Sequence, residues 1–285
     1  MSRPLFDADY SAIEARIVCW LAGQEDALEE YRQGIDRYKV MASYIFGVPY
    51  SEVNKFPQRF VGKEAILMCG FQGGGDKLRR SCEKKGYKTL PVGQEHTVTE
   101  AFRKKHPRIK SYWYDTEFAA QQAVLHKGTP FRVRNNRFGD YPVPIVYQCK
   151  EIGGMWFLLC KLPSGRELAY PRPQLVPSRF EGKSMIRFFG KIGMTVNWGN
   201  ADTYGGKLVE NNTQAVDADI MNGGMHNAEN AGYEVLINVH DQVLTYSKEG
   251  QSSVELVGHL KRAPAWADGL PIEAEGGEVP FYKKD

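Results

Sequence analysis

The sequence predicts an α+β fold in which helices and strands occupy different parts of the chain. Residues 26 to 125 carry helical patterns punctuated by Gly34, Pro49, Pro57 and Pro107. From about residue 127 to 200 the runs alternate and become β-rich, as in MWFLLCKL and SMIRFFG, with a turn-forming PSG between them. Near residue 240, two apolar runs flank a short polar tip. The first part is therefore expected to be helical and the later part to contain hairpins.

Composition sets the outer limits. With 285 residues, 42% hydrophobic and 25% charged, the chain can bury the core of one large domain or two subdomains. It has no apolar stretch of bilayer length and no apolar signal core in MSRPLFDADY, so we expect no membrane association and a cytoplasmic location. The five cysteines are an odd number without CxxC spacing, which predicts reduced thiols rather than a disulfide framework or a zinc site.

Positive charge is concentrated locally. The net charge of +3 is too small to indicate a polyanionic partner by itself. Much of the excess lies in residues 84 to 88, residues 103 to 110 and the run with Arg132, Arg134 and Arg137. These segments could follow a phosphate backbone, although a solvated helix or loop face is the more usual explanation of any one run.

The first element is a strand that leads into a helix. Residues 1 to 10 have strand character, and the following segment places Ile13, Ile17 and Leu21 at helical spacing. Asp9 stands where this strand stops, and Asp241 stands where a later apolar run stops. Two carboxylates at neighbouring strand ends are typical of sites that hold two divalent metal ions for phosphoryl or nucleotidyl transfer.

The middle element is a predicted helix over about 57 to 72. Arg59, Lys63, Leu67 and Phe71 recur every four residues and form a slowly drifting stripe, cationic at its start and apolar or aromatic at its end. A nucleoside triphosphate has the same division, because its phosphates need Arg and Lys and its base needs a stacking surface. An amphipathic surface helix remains the alternative.

The last elements are a helix from about Gly206 to Ala231 and a hairpin over about 233 to 247. The hairpin sequence YEVLINVHDQVLTYS places Asp241 at an exposed acidic tip. No internal repeat is present.

Three of these segments carry a family resemblance. DADYSAIEARI resembles motif A of the family A DNA polymerases (the Pol I-like enzymes), RFVGKEAILMCGFQGG resembles motif B and VHDQVL resembles motif C, in the family's order. LPSGRELAYPRPQL, TYGGKLVENNTQAVDADIM and APAWADGLPIEAEGG further resemble the phage-encoded branch. The likeness covers nearly the whole chain.

The resemblance implies a right-hand polymerase architecture. Residues 1–25 and 206–285 would form the palm with its antiparallel sheet, 26–125 the helical fingers, and 126–205 a β-rich palm segment. The activity implied is template-directed addition of dNTPs to a primer 3′-hydroxyl on primer-template DNA, in the cytoplasm of a bacterial host if the chain is phage-encoded.

The resemblance also implies roles for single residues. Asp9, Asp241 and the backbone carbonyl of Tyr10 would bind two Mg²⁺ ions, for which Mn²⁺ is a possible substitute. Arg59 and Lys63 would hold the β- and γ-phosphates, and Lys63 would also protonate the leaving group.

Further residues would contact the nucleotide or the DNA. Glu14 would lie beneath the sugar and exclude a ribose 2′-hydroxyl. Phe71 would stack near the template base, and Leu67 would affect discrimination against dideoxynucleotides. The DNA-contacting positions would be Gln214 in the minor groove, with Asn211 or Glu210 supporting it, His240 at the primer end, and Arg16.

Three departures from the family pattern stand out. Motif C has Gln242 where the family usually has glutamate, and motif B has Phe71 where it usually has tyrosine. Motif A also begins within ten residues of Met1. This position leads us to expect the catalytic C-terminal portion of a split or truncated phage polymerase, lacking a thumb and an exonuclease domain and bound to a separate piece that supplies them.

Two other functions remain open at this point. A single-subunit RNA polymerase shares the two metal-binding aspartates and a lysine-bearing helix but lacks the Glu14 gate. A catalytically impaired nucleic-acid-binding remnant would bind DNA without Mg²⁺-dependent extension, although retention of both aspartates argues against it.

Overall fold

The computed structural model describes residues 4–87, 93–134, 145–178, 180–193 and 196–282. Arg137, in the third basic run, and Lys88, at the end of the first, lie outside the described residues. The chain is mixed α and β, as predicted, with helices preceding most of the strands.

Helices dominate the segment between residues 13 and 125. A 3₁₀ turn at Tyr50–Glu52 and a π-helical turn at Lys55–Arg59 separate the third helix from the fourth. The helices, in chain order, are α1 (Ile13–Ala22), α2 (Glu25–Arg32), α3 (Arg37–Phe46), α4 (Phe60–Cys69), α5 (Gly75–Lys84), α6 (Gln94–Lys105), α7 (Pro107–Leu125), α8 (Gly205–Asn230) and α9 (Ser253–Leu260).

Strands begin the chain, fill the segment between α7 and α8, and close the described part. The strands, in chain order, are β1 (Leu5–Tyr10), β2 (Phe131–Arg132), β3 (Val146–Ile152), β4 (Met155–Lys161), β5 (Glu167–Pro171), β6 (Gln174–Pro177), β7 (Ser184–Lys191), β8 (Trp198–Thr203), β9 (Glu234–Val239), β10 (Gln242–Tyr246) and β11 (Ala274–Val279).

The sheet that contains Asp9 is antiparallel and has the order β11-β1-β10-β9. Asp9 on β1 faces Gln242 on β10 and Glu275 on β11. Because side chains alternate along a strand, Asp7 and Asp9 lie on the same face of β1. Phe6, Ala8 and Tyr10 lie on the other face and are buried. The alternation that places the acidic side chains on one face therefore also anchors β1 in the core.

Two further antiparallel sheets lie between α7 and α8 in the chain, with the orders β2-β3-β4-β5 and β6-β7-β8. The first packs against α7, and its buried Tyr147 hydroxyl bonds to Asn212 of α8 at 3.0–3.2 Å. The second contacts the first through β5 and β7. The β-rich segment is therefore attached to the long helix that leads back to the hairpin.

Helix α8 connects these parts, since it packs on α1, α7, α9 and β9. Tyr10 reaches it from β1: a β-carbon at Gly224 would collide with the Tyr10 hydroxyl, so glycine is required there. That hydroxyl donates to the Leu260 carbonyl at 2.9 Å. The end of β1 is thus fixed between α8 and α9.

All five cysteines are buried free thiols, as the sequence predicts. Among the described residues, no helix combines the length and the apolar character needed to cross a membrane.

Candidate active site

The fold brings Asp9 and Asp241 together from opposite ends of the chain. The N–H of Tyr10, the residue after Asp9, donates to the carbonyl of Asp241 at 3.0 Å. Asp241 lies in the turn of the β9–β10 hairpin, and β10 pairs directly with β1. The two aspartates predicted from the sequence are therefore neighbours at one end of the sheet.

The hairpin turn has two residues, which is the usual minimum for a loop between antiparallel strands. Val239 pairs with Gln242, so only His240 and Asp241 form the loop. His240 has φ 58°, and a positive φ at the first position of a two-residue loop suits the twist of the flanking strands. The His240 side chain is exposed at this tip, beside the carboxylate of the next residue.

Carboxylates surround Asp9. Burial, together with the negative charges of Asp241, Asp7 and Glu275, raises the pKa of Asp9 to about 6, although a hydrogen bond from the Tyr10 N–H opposes the shift. A bound cation would reverse this repulsion, and oxygen donors are the ligands that Mg²⁺ prefers. The described residues contain no group of three or more His, Cys, Asp and Glu side chains arranged to hold a metal by themselves. A metal at Asp9 and Asp241 would therefore complete its coordination with main-chain, water or substrate oxygens.

Gln242 contacts a carboxylate that the sequence analysis missed. Its side-chain amide donates to both carboxylate oxygens of Asp7, each at 2.8 Å. A glutamate at position 242 would instead repel Asp7. The signal was present in the sequence, because the Asp-Ala-Asp spacing places Asp7 and Asp9 on one face of a strand.

Glu14 and Gln214 meet across α1 and α8. Glu14 is half-buried, and burial raises its pKa while a hydrogen bond from Gln214 lowers it. The negative charges of Glu210 and Asp241 raise it further. Gln214 is otherwise exposed, and Asn211, one turn earlier, donates to the Tyr170 hydroxyl at 3.1 Å. The predicted sugar gate and the predicted minor-groove residue thus contact each other.

Asp217 is a second residue that the sequence analysis missed. Its Oδ1 is buried and has no hydrogen-bond partner among the described residues. Burial, together with the negative charges of Glu14 and Asp241, raises its pKa to about 7. Its place one helical turn after Gln214 was the available sequence signal.

The predicted helix over 57 to 72 is shorter in the structure. Helix α4 spans Phe60–Cys69, so Arg59 lies in the preceding π-helical turn and Phe71 in the following turn. The end is closed by the Gly73 N–H, which donates to the Met68 carbonyl at 3.1 Å. Gln72 adopts a φ of 61° there, so the chain leaves the helical path. Lys63 and Leu67 lie on α4, while Phe71 packs into the core with 9% of its surface exposed.

The two cations of this segment flank one aromatic ring. The Arg59 guanidinium lies 5.1 Å and the Lys63 Nζ 5.7 Å from the centre of the Tyr38 ring. Arg59 Nε also donates to Asp36 Oδ2 at 2.6 Å. Lys63 is exposed. The two cations of the stripe therefore lie close together, and Arg59 is already paired with a carboxylate.

Arg16 is not at the surface, contrary to its predicted role in contacting DNA. Only 8% of it is exposed. Its guanidinium donates to the carbonyls of Ser11 at 2.7 Å and Pro271 at 3.2 Å, and it stacks on Tyr31. Helical periodicity could not show this, since Pro271 is distant in the sequence. Arg16 holds α1 against the C-terminal segment.

Known proteins resemble the chain in sequence and in fold. No family model matches it. The chain is 34% identical to the DNA polymerase of Bacillus phage SP02 over 281 residues, which is 98% of this chain and 41% of that protein. A shorter stretch of 49 residues, 17% of this chain and 5% of the relative, is 47% identical to DNA polymerase I of Mycobacterium tuberculosis.

A solved structure with a TM-score of 0.63 is the POL domain of Pol1 from M. smegmatis, in complex with DNA primer-template and dNTP. It is 18% identical, and the match covers 98% of this chain and 40% of that one. The chain therefore spans about two fifths of the length of the phage polymerase and of the mycobacterial Pol1 domain. The chain is similar in sequence to a phage DNA polymerase along nearly its whole length, and its fold is that of part of a Pol I polymerase domain.

Proposed function

We propose that the chain is the catalytic part of a template-directed DNA polymerase, which adds dNTPs to the 3′-hydroxyl of a primer. The observation that carries this proposal is the backbone hydrogen bond between Tyr10 and Asp241, which holds Asp9 and Asp241 side by side at the sheet end. The 34% identity to a phage DNA polymerase over nearly the whole chain supports it.

Asp9, Asp241 and the Tyr10 carbonyl are the proposed ligands for two Mg²⁺ ions. The raised pKa of Asp9 among neighbouring carboxylates supports this assignment, because such a cluster is stabilised by cations. When bound, the ions supply the positive charge that activates the primer hydroxyl and offsets charge on the pyrophosphate.

The nucleotide is proposed to lie between this carboxylate site and α4. Lys63, exposed on α4, binds the triphosphate and donates a proton to the leaving pyrophosphate oxygen. Arg59 binds the β- and γ-phosphates. Glu14, held by Gln214, occupies the space that a ribose 2′-hydroxyl would need. Leu67 lines the base side, and Phe71 supports it from the core.

Primer-template DNA is proposed to contact the exposed Gln214 and His240, with Asn211 beside them. Arg16 is not part of this surface, because it is buried. The solved relative is a complex with DNA primer-template and dNTP, which supports these partners. The phage relative supports action in the cytoplasm of a bacterial host.

A second part of the proposal concerns grip on the duplex. The chain matches 41% of the length of its phage relative, so we propose that polypeptide outside these 285 residues supplies a thumb-like grip and the exonuclease. Co-expression with the remaining part of such a polymerase should yield a complex with longer extension products. Failure to bind or to lengthen the products would reject this part alone.

Primer extension tests the main proposal. The purified chain should extend a labelled primer with dNTPs and Mg²⁺, and NTPs should be incorporated poorly. Preference for NTPs would instead indicate an RNA polymerase. Binding of DNA without any extension, in the presence of the remaining polymerase part, would indicate a catalytically idle remnant.

A further inference from the structure

The outer face of the β6-β7-β8 sheet carries aromatic and cationic side chains that the proposed catalysis does not use. Register pairs Lys191 with Trp198 and Phe189 with Asn200. Residues paired across antiparallel strands point to the same side, so these four share one face. The opposite face is buried, with Ile186 and Thr203 in the core and Phe188 packed edge-on against Tyr170.

Two rings form a platform on the outer face. The rings of Phe189 and Trp198 have centroids 6.2 Å apart and are tilted by only 33°. Trp198 has 65% of its surface exposed. A large exposed indole costs hydrophobic stabilisation, and the tilted ring beside it adds aromatic surface next to the indole face. Such a surface is suited to stacking with planar groups.

Cations accompany the rings. The Arg172 guanidinium lies 5.2 Å from the centre of the Phe189 ring, and Lys191 is exposed beside Trp198. Within the part of the chain that the structure describes, neither of these cations forms an ion pair with a carboxylate. By contrast, Arg187 on the same face is neutralised by Asp202 at 2.6 and 2.8 Å. Positive charge therefore remains at the aromatic end of the sheet.

The platform lies within a short reach of the proposed nucleotide site along the chain. Strand β8 ends at Thr203 and α8 begins at Gly205. The N–H of Gly206 donates to Gln72 Oε1 at 2.8 Å, next to Phe71. At roughly 3.3 Å per extended residue, Trp198 lies at most about 26 Å along the chain from Gly206. A template strand that leaves the proposed nucleotide site beside α4 can therefore reach the platform within a few nucleotides.

We propose that this outer face binds the unpaired 5′ segment of the template strand ahead of the growing primer end, with bases stacked on Trp198 and Phe189 and phosphates near Lys191 and Arg172. The inference rests on the proposed polymerase function and adds a binding surface to it. Unpaired bases are the natural occupant, because duplex bases have their faces covered by their neighbours. The unpaired cations favour a polyanion over an apolar protein surface.

Binding of primer-templates with different overhangs tests this surface. Affinity is measured by anisotropy in EDTA without nucleotide, with a template overhang of one or eight nucleotides. The unsubstituted chain should bind the long overhang at least about fivefold more tightly, given the usual contribution of base–aromatic stacking. Trp198→Ala should abolish this ratio, Trp198→Phe should retain part of it, and Lys191→Gln should reduce its dependence on salt.

Phe281→Ala is the matched control. Phe281 is 66% exposed and follows β11 at the end of the sheet remote from Asp9, so its removal should leave the overhang ratio unchanged. The inference is overturned if Trp198→Ala leaves the ratio intact, if it weakens a blunt duplex equally, or if the unsubstituted chain shows no overhang dependence. Primer extension of the same substrates is scored separately: overhang-dependent binding without extension would contradict the polymerase proposal and leave the surface standing.

Discussion

The sheet end around Asp9 and the cationic segment around Arg59 are proposed to bind the same substrate, but their charges are balanced differently. Like charges lie together at the sheet end, whereas the charge of Arg59 is already paired. At the sheet end, the carboxylates repel one another, and the pKa of Asp9 is raised to about 6. At the cationic segment, Arg59 is bound to Asp36 at 2.6 Å. A metal ion would relieve an existing repulsion, whereas a triphosphate must displace a carboxylate. Ligand binding at the sheet end would therefore remove a repulsion, whereas at the cationic segment it would break the ion pair between Arg59 and Asp36.

The largest effect on the cationic side is expected from Lys63→Ala. The Lys63 side chain is exposed and has no carboxylate partner among the described residues, so it is the cation most able to act on the leaving group. Removing it should lower kcat/KM for dNTP about 100-fold, the usual effect of losing a general acid. Steady-state extension measures this. Lys39→Ala is the control, since Lys39 also lies over an aromatic ring, that of Tyr50 at 5.5 Å. An equal loss in both variants would contradict a specific role for Lys63.

Glu14→Ala should alter sugar selection. Glu14 is held in place by Gln214, and its removal opens space beneath the sugar. Incorporation of NTP relative to dNTP should rise at least about tenfold, a typical specificity change for one pocket contact. Competition assays with both nucleotides measure the ratio. Glu29→Ala on the surface of α2 should leave it unchanged. If Glu14→Ala also leaves it unchanged, Glu14 is not the gate.

Asp36→Asn should strengthen nucleotide binding. The substitution removes the charge that competes for Arg59, and asparagine still caps α3, where Asp36 accepts from the N–H groups of Tyr38 and Lys39. KM for dNTP should fall about two- to fivefold, the equivalent of an exposed ion pair. Asp36→Ala also loses the cap and should lower stability by about 1 kcal/mol. A raised KM in Asp36→Asn would show that Asp36 orients Arg59 instead of restraining it.

The smallest effect is a pH-dependent change in stability at the sheet end. The pKa of Asp9 in the folded protein, about 6, is above its ordinary value of 3.8, so the folded state holds a proton that the unfolded state releases. Stability should therefore fall as pH rises from about 4 to 6 and stay lower above that range. Without divalent ions, Asp9→Asn should be more stable than the unsubstituted protein at pH 8 by about 1 kcal/mol, a discounted figure because the carboxylate is partly exposed.

Urea unfolding at pH 3.5 and pH 8 measures this difference, which should vanish at the lower pH. Asp202→Asn provides a control of opposite sign, because Arg187 lowers the pKa of Asp202 and its carboxylate stabilises the fold above the ordinary pKa. A destabilised Asp9→Asn at pH 8 would contradict the proposed repulsion.

The comparison also separates what the sequence can predict from what it cannot. The meeting of Asp9 and Asp241 follows from local patterns, namely a strand ending at one aspartate and a hairpin tip at the other. The α+β class follows equally, and it is confirmed by the fold of the solved relative. The assigned roles of single residues remain predictions.

Tertiary contacts account for what the sequence analysis missed. The burial of Arg16 depends on the carbonyl of Pro271, and the restraint on Arg59 depends on Asp36, 23 residues away. Helical spacing predicted a stripe that continues to Phe71, but the helix ends at Cys69 in a turn that includes the positive φ of Gln72. Contacts between remote segments leave no periodic signal, so these features need the structure.

The most direct test of the account measures single-turnover primer extension by Asp9→Asn, Asp241→Asn and the double variant, with folding checked by circular dichroism. If the two carboxylates act as one metal-dependent unit, each single substitution should lower the rate at least about 10³-fold, and the double variant should be no slower than either single one. Extension at the unsubstituted rate by either single variant, or losses that multiply in the double variant, would contradict the account.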